Sequence, residues 1–371
     1  MLNFADPLKN NKTLKLRILK KISKVINEGR YILGKNVKTF ETNLANYLNV
    51  KYVVAMNSGT DALIAALMCI DIKPNDEIIV PSHTATATIS SIKLLKAKPI
   101  FIDINLSNYT IDVKKIAKLI TSKTKAIIGV HIYGHACNNF EIIKVCAKYN
   151  LFFIEDCAQA IGSEFKGKKL GTFGDFGCFS FFPTKNLSAI GDAGAIVTNN
   201  YNHYLKLIKI RQYGWNEKRV SVIDGVNSRC DEIQAAILNV KIKFLDEYIR
   251  KRRQVAKFYN KYLKKFPLIL PLENDDCKHS YHLYVIRIKR SIRTAFIKFL
   301  KKEKIFLGIH YDPPTHKMNN FIKNKNNLLN TEKICKEIVS LPMYPELSKK
   351  NLFKVCNAIN SFFLNIDKIK K

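Results

Sequence analysis

A chain of 371 residues that is 47% hydrophobic can bury a large core, as one big domain or two ordinary ones. No run approaches the apolar length needed to cross a bilayer, and the opening MLNFADPLKNNKTLKLRILKK lacks the features of a secretory signal. The formal charge of +32 raises nucleic acid as a partner, but lysine outnumbers arginine 51 to 11 and residues 131–200 balance six lysines against six acidic residues.

The charge therefore reads as solvated faces toward the two ends, and nucleic acid and membrane are set aside as partners. A positive field that steers anionic substrates is the milder consequence. Nine scattered cysteines without short regular spacing fit a reducing cytoplasm rather than a disulfide framework.

In chain order, the first thirty residues predict an amphipathic helix with Leu14, Ile18, Ile22, Val25 and Ile26 on one stripe. A second helix, VKTFETNLANYL, follows Gly29 and Gly34. Strands and helices then alternate: KYVVAMNS, TDALIAALMCI, DEIIVPS, TATISSIKLLK and KPIFIDI, followed by DVKKIAKLI to AIIGVHIYG and NNFEIIKVCAKY to LFFIEDCAQA. Apolar strands separated by helices imply a mostly parallel sheet buried on both faces.

From Asp231 the pattern changes to one long basic helix, DEIQAAILNVKIKFLDEYIRKRRQVAKFYNKYL, ending before Pro267 and Pro271. A strand YHLYVIRI, two helical patterns and a loop with Pro313, Pro314, Pro342 and Pro345 come after it. The expectation is an α/β protein: a three-layer α/β/α large domain over 1–240 and a small α+β domain over 241–371. The helix over 1–30 is a candidate to pack on the small domain, and KNKNNLLNTEK is expected as an exposed loop.

Ligands of such sheets bind beyond the carboxyl ends of the strands, where three segments stand out. In NSGTDAL, residues Ser58, Gly59 and Thr60 offer hydroxyls and unpaired N–H groups to an anion such as phosphate. The plainer reading is an ordinary helix cap. In FFIEDCAQA, Asp156 ends an apolar strand, where a carboxylate requires a cation or donor, and Gln159 follows. A protonated pyridine nitrogen is one such partner; the plainer reading is another cap, with Glu155 pointing to solvent. In CFSFFPTKNLSAIGDAGAIVTNN, Lys185 lies among Phe181, Phe182 and Pro183, and Ser180 precedes it. Desolvation there would yield a free amine suited to aldehyde chemistry, whereas most lysines are surface lysines.

Taken together, SGT, a strand-end Asp and a lysine 29 residues later describe a site for pyridoxal 5′-phosphate. The chain resembles the DegT/DnrJ/EryC1/StrS sugar aminotransferases, within the fold-type I pyridoxal-phosphate enzymes. The likeness runs through GRYILGKNVKTFE, NSGTDAL, DEIIVPSHTATAT, KPIFIDI, VHIYGH, IEDCAQAIGSEFKGKKLGTFGDFGCFSFFPTKNLSAIGDAGAIVTN, NSRCDEIQAAIL and GIHYDPPTH.

The resemblance implies that Lys185 forms the Schiff base and then shuttles protons. It pairs Asp156 with the pyridinium nitrogen, sets Gln159 on the ring's phenolic oxygen, and places Gly59, Thr60 and Ser180 on the phosphate. Asn227, from NSRCDE, would reach the cofactor of a neighbouring subunit, so a homodimer with shared sites is expected. Where many members carry a stacking aromatic this chain has Ala85, and His83 either supplies that face or is a structural histidine. Keeping Lys185, where a dehydratase subset has histidine, favours transamination. His131 and His135 have zinc-pair spacing, but they follow a strand, enclose Gly134 and lack the intervening glutamate, so no metal is expected.

The implied reaction moves an amino group from L-glutamate to a nucleotide-linked keto-sugar, with Tyr31, His310 and Tyr311 near the sugar. RQYGW and GIHYDPPTH look closest to enzymes acting at C3 of dTDP-3-oxo-6-deoxyhexoses; the alternative is C4 of a UDP-, GDP- or dTDP-4-keto sugar. The implied pathway is decoration of lipopolysaccharide (O-antigen), capsule or glycoprotein. A non-catalytic binder or regulator on the same fold is the reading from a different class, and it would tolerate loss of Lys185.

Overall fold

The computed structural model describes residues 1–321 and 327–365. Strands β1 (Tyr52–Met56), β2 (Glu77–Pro81), β3 (Lys98–Ile102), β4 (Thr124–Val130) and β5 (Phe152–Asp156) come first. A small hairpin follows, β6 (Glu164–Phe165) and β7 (Lys168–Lys169), then β8 (Phe176–Ser180) and β9 (Gly194–Thr198). Apart from the hairpin they form one seven-stranded sheet of order β1-β9-β8-β5-β4-β2-β3. The β5–β8, β4–β5, β2–β4 and β2–β3 pairs are parallel; β9 is antiparallel to both β1 and β8. Six strands therefore point one way and β9 the other.

Period-two alternation divides each strand between two faces. Val54 and Met56, Ile78 and Val80, Ile128, Ile154, Phe176 and Ile196 join one cluster with helices α4 (Gly59–Cys69), α5 (Thr86–Leu94) and α7 (Tyr201–Ile210). On the other face Val53, Ala55, Phe179, Ala195 and Val197 meet α3 (Lys35–Leu48) and α8 (Glu232–Lys241), while Ile79, Ile127 and Phe153 meet α6 (Asn139–Tyr149). Both faces are covered, giving the three layers expected from the apolar strands.

The first thirty residues are two helices, α1 (Pro7–Lys12) and α2 (Lys15–Glu28), rather than one. Their stripe packs on α8 through Leu14, Ile18, Ile237 and Val240, whereas Leu2 alone joins the C-terminal core. The predicted long helix also breaks: a 3₁₀ turn at Ile242–Phe244 separates α8 from α9 (Leu245–Leu263). Leu245 and Ile249 of α9 belong to the sheet-side core and Val255, Tyr259 and Leu263 to the C-terminal core, so α9 ties the two together.

Beyond it, β10 (Cys277–Lys278) pairs with β6, and β11 (Tyr284–Arg287) pairs with β12 (Ile338–Leu341), a strand the sequence reading missed. Helices α10 (Arg290–Lys302), α11 (Leu329–Cys335) and α12 (Lys349–Leu364) complete the C-terminal part. The expected loop KNKNNLLNTEK lies partly outside the described residues and from Leu329 is helix α11. Among the described residues no helix is long and apolar enough to cross a membrane, and all nine cysteines are buried and unpaired.

Candidate active site

Because β9 runs against its neighbours, its amino end meets the carboxyl ends of β1, β2, β4, β5 and β8 along one edge. Ser58 caps α4 there: its Oγ accepts from Asp61 N–H at 3.0 Å and its carbonyl from Ala62 N–H at 3.1 Å. The N–H groups of Gly59 and Thr60 precede the first intrahelical bond and point outward at the positive end of the helix. A Cβ on Gly59 would lie 2.7 Å from Ser180 Cβ, so the β1–α4 loop rests directly on the end of β8 and admits only glycine. Ser58, Gly59, Thr60 and Ser180 thus form one cradle of N–H and hydroxyl donors.

Asp156 closes β5 at 4% exposure. Its Oδ2 accepts from the Thr88 hydroxyl at 2.8 Å and its Oδ1 from Ala158 N–H at 3.1 Å. Burial raises its pKa above the ordinary value, opposed by those two bonds and by the positive charge of Lys185. Lys185 sits in the turn after β8, its N–H bonded to Phe182 carbonyl at 2.8 Å. Burial pushes its amine down to about 8, with Asp156 opposing. Of the neighbours expected to shield it, Phe181 is fully buried and Phe182 is 47% exposed.

Gln159 is held at both ends. Its Oε1 accepts from Tyr133 N–H and its Nε2 donates to the Tyr311 hydroxyl, each at 2.6 Å. The Tyr133 hydroxyl in turn meets the His310 carbonyl and His83 Nε2. Segment 310–316 is pinned to the same edge, since Thr315 Oγ1 donates to Ser82 carbonyl at 2.8 Å. His310 Nδ1 lies 2.9 Å from Ser340 Oγ, and burial, then the charge of Lys185, pushes its imidazole down to about 4.

His83 is 1% exposed, with Nε2 on Tyr133 at 2.6 Å and Nδ1 on Cys335 Sγ at 3.4 Å. Burial lowers its pKa to about 3, so it is a neutral imidazole whose two nitrogens are both engaged. Two expected residues are exposed. Tyr31 is half-exposed, with its hydroxyl on Ile26 carbonyl at 3.4 Å and its carbonyl on Glu232 N–H at 2.9 Å. Asn227 is exposed, but its neighbour Ser228 is buried and bonds Asn57 N–H and Asp61, which fixes Asn227 beside the cradle.

Three residues escaped the sequence reading. Thr88 lies four positions after Thr84 in HTATAT, a spacing that puts both hydroxyls on one side of the start of α5. Tyr133 lay within the quoted VHIYGH without being singled out. His282 had no local signal: it is 6% exposed, its Nδ1 is unpartnered, and burial together with Lys185 and Arg252 holds it well below its usual range. Arg252 fixes its backbone, donating to the carbonyls of Tyr281, His282 and Met343 at 3.2, 3.1 and 3.0 Å.

One reading is corrected. Glu155 does not point to solvent; it is fully buried and accepts from the N–H groups of Gly171, Phe173 and Gly174 at 2.7–2.9 Å and faces His131 Nε2 at 2.9 Å. The other His131 nitrogen accepts from Cys137 N–H at 3.0 Å, and His135 Nδ1 bonds the Ala136 carbonyl. The HIYGH histidines therefore fix loops.

A buried amine of lowered pKa, a buried carboxylate and an anion cradle on one sheet edge meet the chemical needs of an aldehyde cofactor carrying a phosphate. Comparison with known proteins gives this the same meaning. The model of the DegT/DnrJ/EryC1/StrS aminotransferase family matches residues 12–360. The dTDP-3-amino-3,6-dideoxy-alpha-D-galactopyranose transaminase of Aneurinibacillus thermoaerophilus is 40% identical, over 98% of this chain and 99% of its own. The UDP-N-acetyl-3-dehydro-alpha-D-glucosamine 3-aminotransferase of Acidithiobacillus ferrooxidans is 37% identical, over 94% and 95%.

The crystal structure of DesV from S. venezuelae, in complex with a ketimine intermediate, superposes with a TM-score of 0.94 at 32% identity, covering 97% of this chain and 98% of that one. The protein is a pyridoxal 5′-phosphate-dependent aminotransferase. It belongs to the DegT/DnrJ/EryC1/StrS aminotransferase family, whose similar members act on nucleotide-linked sugars.

Proposed function

We propose that this enzyme transfers the amino group of L-glutamate to C3 of a nucleotide-linked 3-oxo-6-deoxyhexose, dTDP-linked in the first instance, for an amino-deoxysugar of surface glycans. The ring position is supported by the two relatives above, which differ in nucleotide and sugar but both carry 3-amino chemistry in their names. The observation that carries the chemistry is the placement of Lys185, with its amine near 8, in the field of Asp156. A basic chain of charge +32 suits two acidic substrates, a dicarboxylic amino acid and a sugar nucleotide. Reaction in the cytoplasm is part of the same reading, and nine buried cysteines without a disulfide are compatible with it.

When bound, pyridoxal phosphate supplies an aldehyde that receives the amino group and a ring that takes up negative charge from the substrate carbon. Lys185 would be the attachment point and, once released, its Nζ would act as base and then acid, taking the proton from the substrate carbon and returning it to the cofactor carbon it had left. Asp156 pairs with the ring nitrogen and keeps it protonated. Gln159 Nε2 has a second hydrogen free of Tyr311 for the ring oxygen. The N–H groups of Gly59 and Thr60 and the hydroxyls of Ser58 and Ser180 hold the phosphate.

His83 holds Tyr133 in place, and His310 with Tyr311 borders the sugar. Asn227 and Tyr31 serve the partner subunit's site in a homodimer. The test is incubation of the purified enzyme with L-glutamate and, separately, dTDP-3-oxo, dTDP-4-oxo and UDP-3-oxo sugars. Amination of the dTDP-3-oxo sugar is expected, with none by Lys185→Ala. Amination confined to the 4-oxo sugar would reject the C3 assignment.

A further inference from the structure

We propose that Thr88 is a positioning residue for Asp156, holding its carboxylate ionised and in the orientation that meets the cofactor ring, with Thr84 as the donor behind it. The proposal rests on the reading above that Asp156 pairs with the ring nitrogen. The geometry is direct. An ionised carboxylate only accepts, so at 2.8 Å the Thr88 hydroxyl donates to Asp156 Oδ2. Its oxygen is then free to accept, and the Thr84 hydroxyl, 2.9 Å away, supplies the proton. The result is a one-way chain, Thr84 to Thr88 to Asp156, and all three residues are at least 95% buried.

Several features show that this hydroxyl is committed. A threonine inside a helix ordinarily turns its hydroxyl back to the carbonyl four residues earlier. Thr88 instead turns across to the end of β5, while its carbonyl is held by the Ser91 hydroxyl at 2.8 Å. Its β-branched side chain is stiff at χ1, so the donor is held where it is needed. Asp156 is fixed on its other oxygen by Ala158 N–H, which leaves the plane of the carboxylate set from two sides. The positive end of α5 also lies behind the chain, since Thr84 and Ala85 lead into it. A buried carboxylate without these donors would take up a proton and lose its hold on a protonated ring.

The test compares Thr88→Val, which keeps shape and removes the donor, with Thr88→Ser, which keeps the donor, and with Asp156→Asn. Three quantities are read: the dissociation constant of pyridoxal phosphate by absorbance titration of the apoprotein, the pH midpoint of the bound cofactor's visible band, and the melting temperature of the apoprotein. The other groups that face Asp156 are Lys185, His131, Cys157, Cys178 and Tyr311, all kept constant in the series.

Thr88→Val is expected to weaken cofactor binding about ten- to a hundredfold, the worth of one hydrogen bond to a charged group, and to displace the spectral midpoint from the parental one. Thr88→Ser should restore both. A Thr88→Val protein with parental affinity and midpoint overturns the proposal. So does one that merely melts lower with its midpoint unmoved, because that is a packing role. If Asp156→Asn itself binds and titrates like the parent, the pairing of Asp156 with the ring is what has failed.

Discussion

The lowered amine of Lys185 makes a measurable difference to how the apoprotein captures an aldehyde. At pH 7 a lysine with the ordinary value of 10.5 is about 0.03% unprotonated, and one at about 8 is about 9% unprotonated, a gain of about 300-fold in reactive amine. The rate of adduct formation with pyridoxal phosphate, trapped by borohydride and located by mass spectrometry, should rise with pH and level off just above 8. A surface lysine would keep gaining about tenfold per pH unit to about pH 9.5 and level off only above about 10.5.

Asp156→Asn removes the one charge that holds the amine up, so the midpoint should move lower. The sign also fixes a stability effect. The unfolded chain binds the proton more tightly, so apoprotein stability rises between pH 8 and 10.5 and the deficit is fully present below 8. An adduct rate that climbs unbroken past pH 10, labelling spread over other lysines, or a midpoint raised by Asp156→Asn would refute the reasoning.

Gly59→Ala should cost about 1–3 kcal/mol by overpacking against Ser180 and lower cofactor affinity more than tenfold, read by thermal melting and absorbance titration. Glu155→Ala strips the acceptor from three buried N–H groups and from His131; a loss of about 3–5 kcal/mol in denaturant unfolding is expected, with intact cofactor stoichiometry in whatever remains folded. Mixing inactive Lys185→Ala with inactive Asn227→Ala and letting subunits exchange should restore about a quarter of parental sites if each site draws on two chains. No recovery after demonstrated exchange would place Asn227 in its own subunit's chemistry, and an active Asn227→Ala would place it in none.

The first five strands of the sheet were legible because each is a short apolar run between turn signals, and the run itself records burial on both faces. Helix continuity was not. Nothing in the sequence around Thr13–Leu14 or Ile242–Phe244 breaks the apolar period, and those breaks come from tertiary packing: α2 must lie along α8, and α9 must leave the sheet for the C-terminal core. Strand β12 was hidden because four residues, IVSL, acquire strand geometry only by pairing with β11. The site divides the same way. Lys185, Asp156 and the cradle residues stand at strand ends, where sequence order alone predicts convergence. Thr88 and Tyr133 act through side chains that meet across distant segments, and no local spacing announces a hydroxyl turning away from its own helix; the buried His282 had no local signal either.

The exposure of Asn227 and Tyr31 is best understood beside what surrounds them. Ser228 is buried and tied by two bonds to the β1–α4 loop, so Asn227 is presented outward from a fixed point next to the cradle rather than from a free loop. Tyr31 is likewise backed by Glu232, whose carboxylate takes the N–H groups of Gly34, Asn36 and Val37 at 2.7–2.8 Å and so anchors the start of α3. Ordering an exposed polar side chain has an entropic cost that a solvent-facing residue gains nothing from. Asn227, presented beside the cradle, and Tyr31, exposed next to the start of α3, are both open to a second surface. That exposure is compatible with the proposal that each subunit completes its partner's site, and the subunit-mixing experiment tests it.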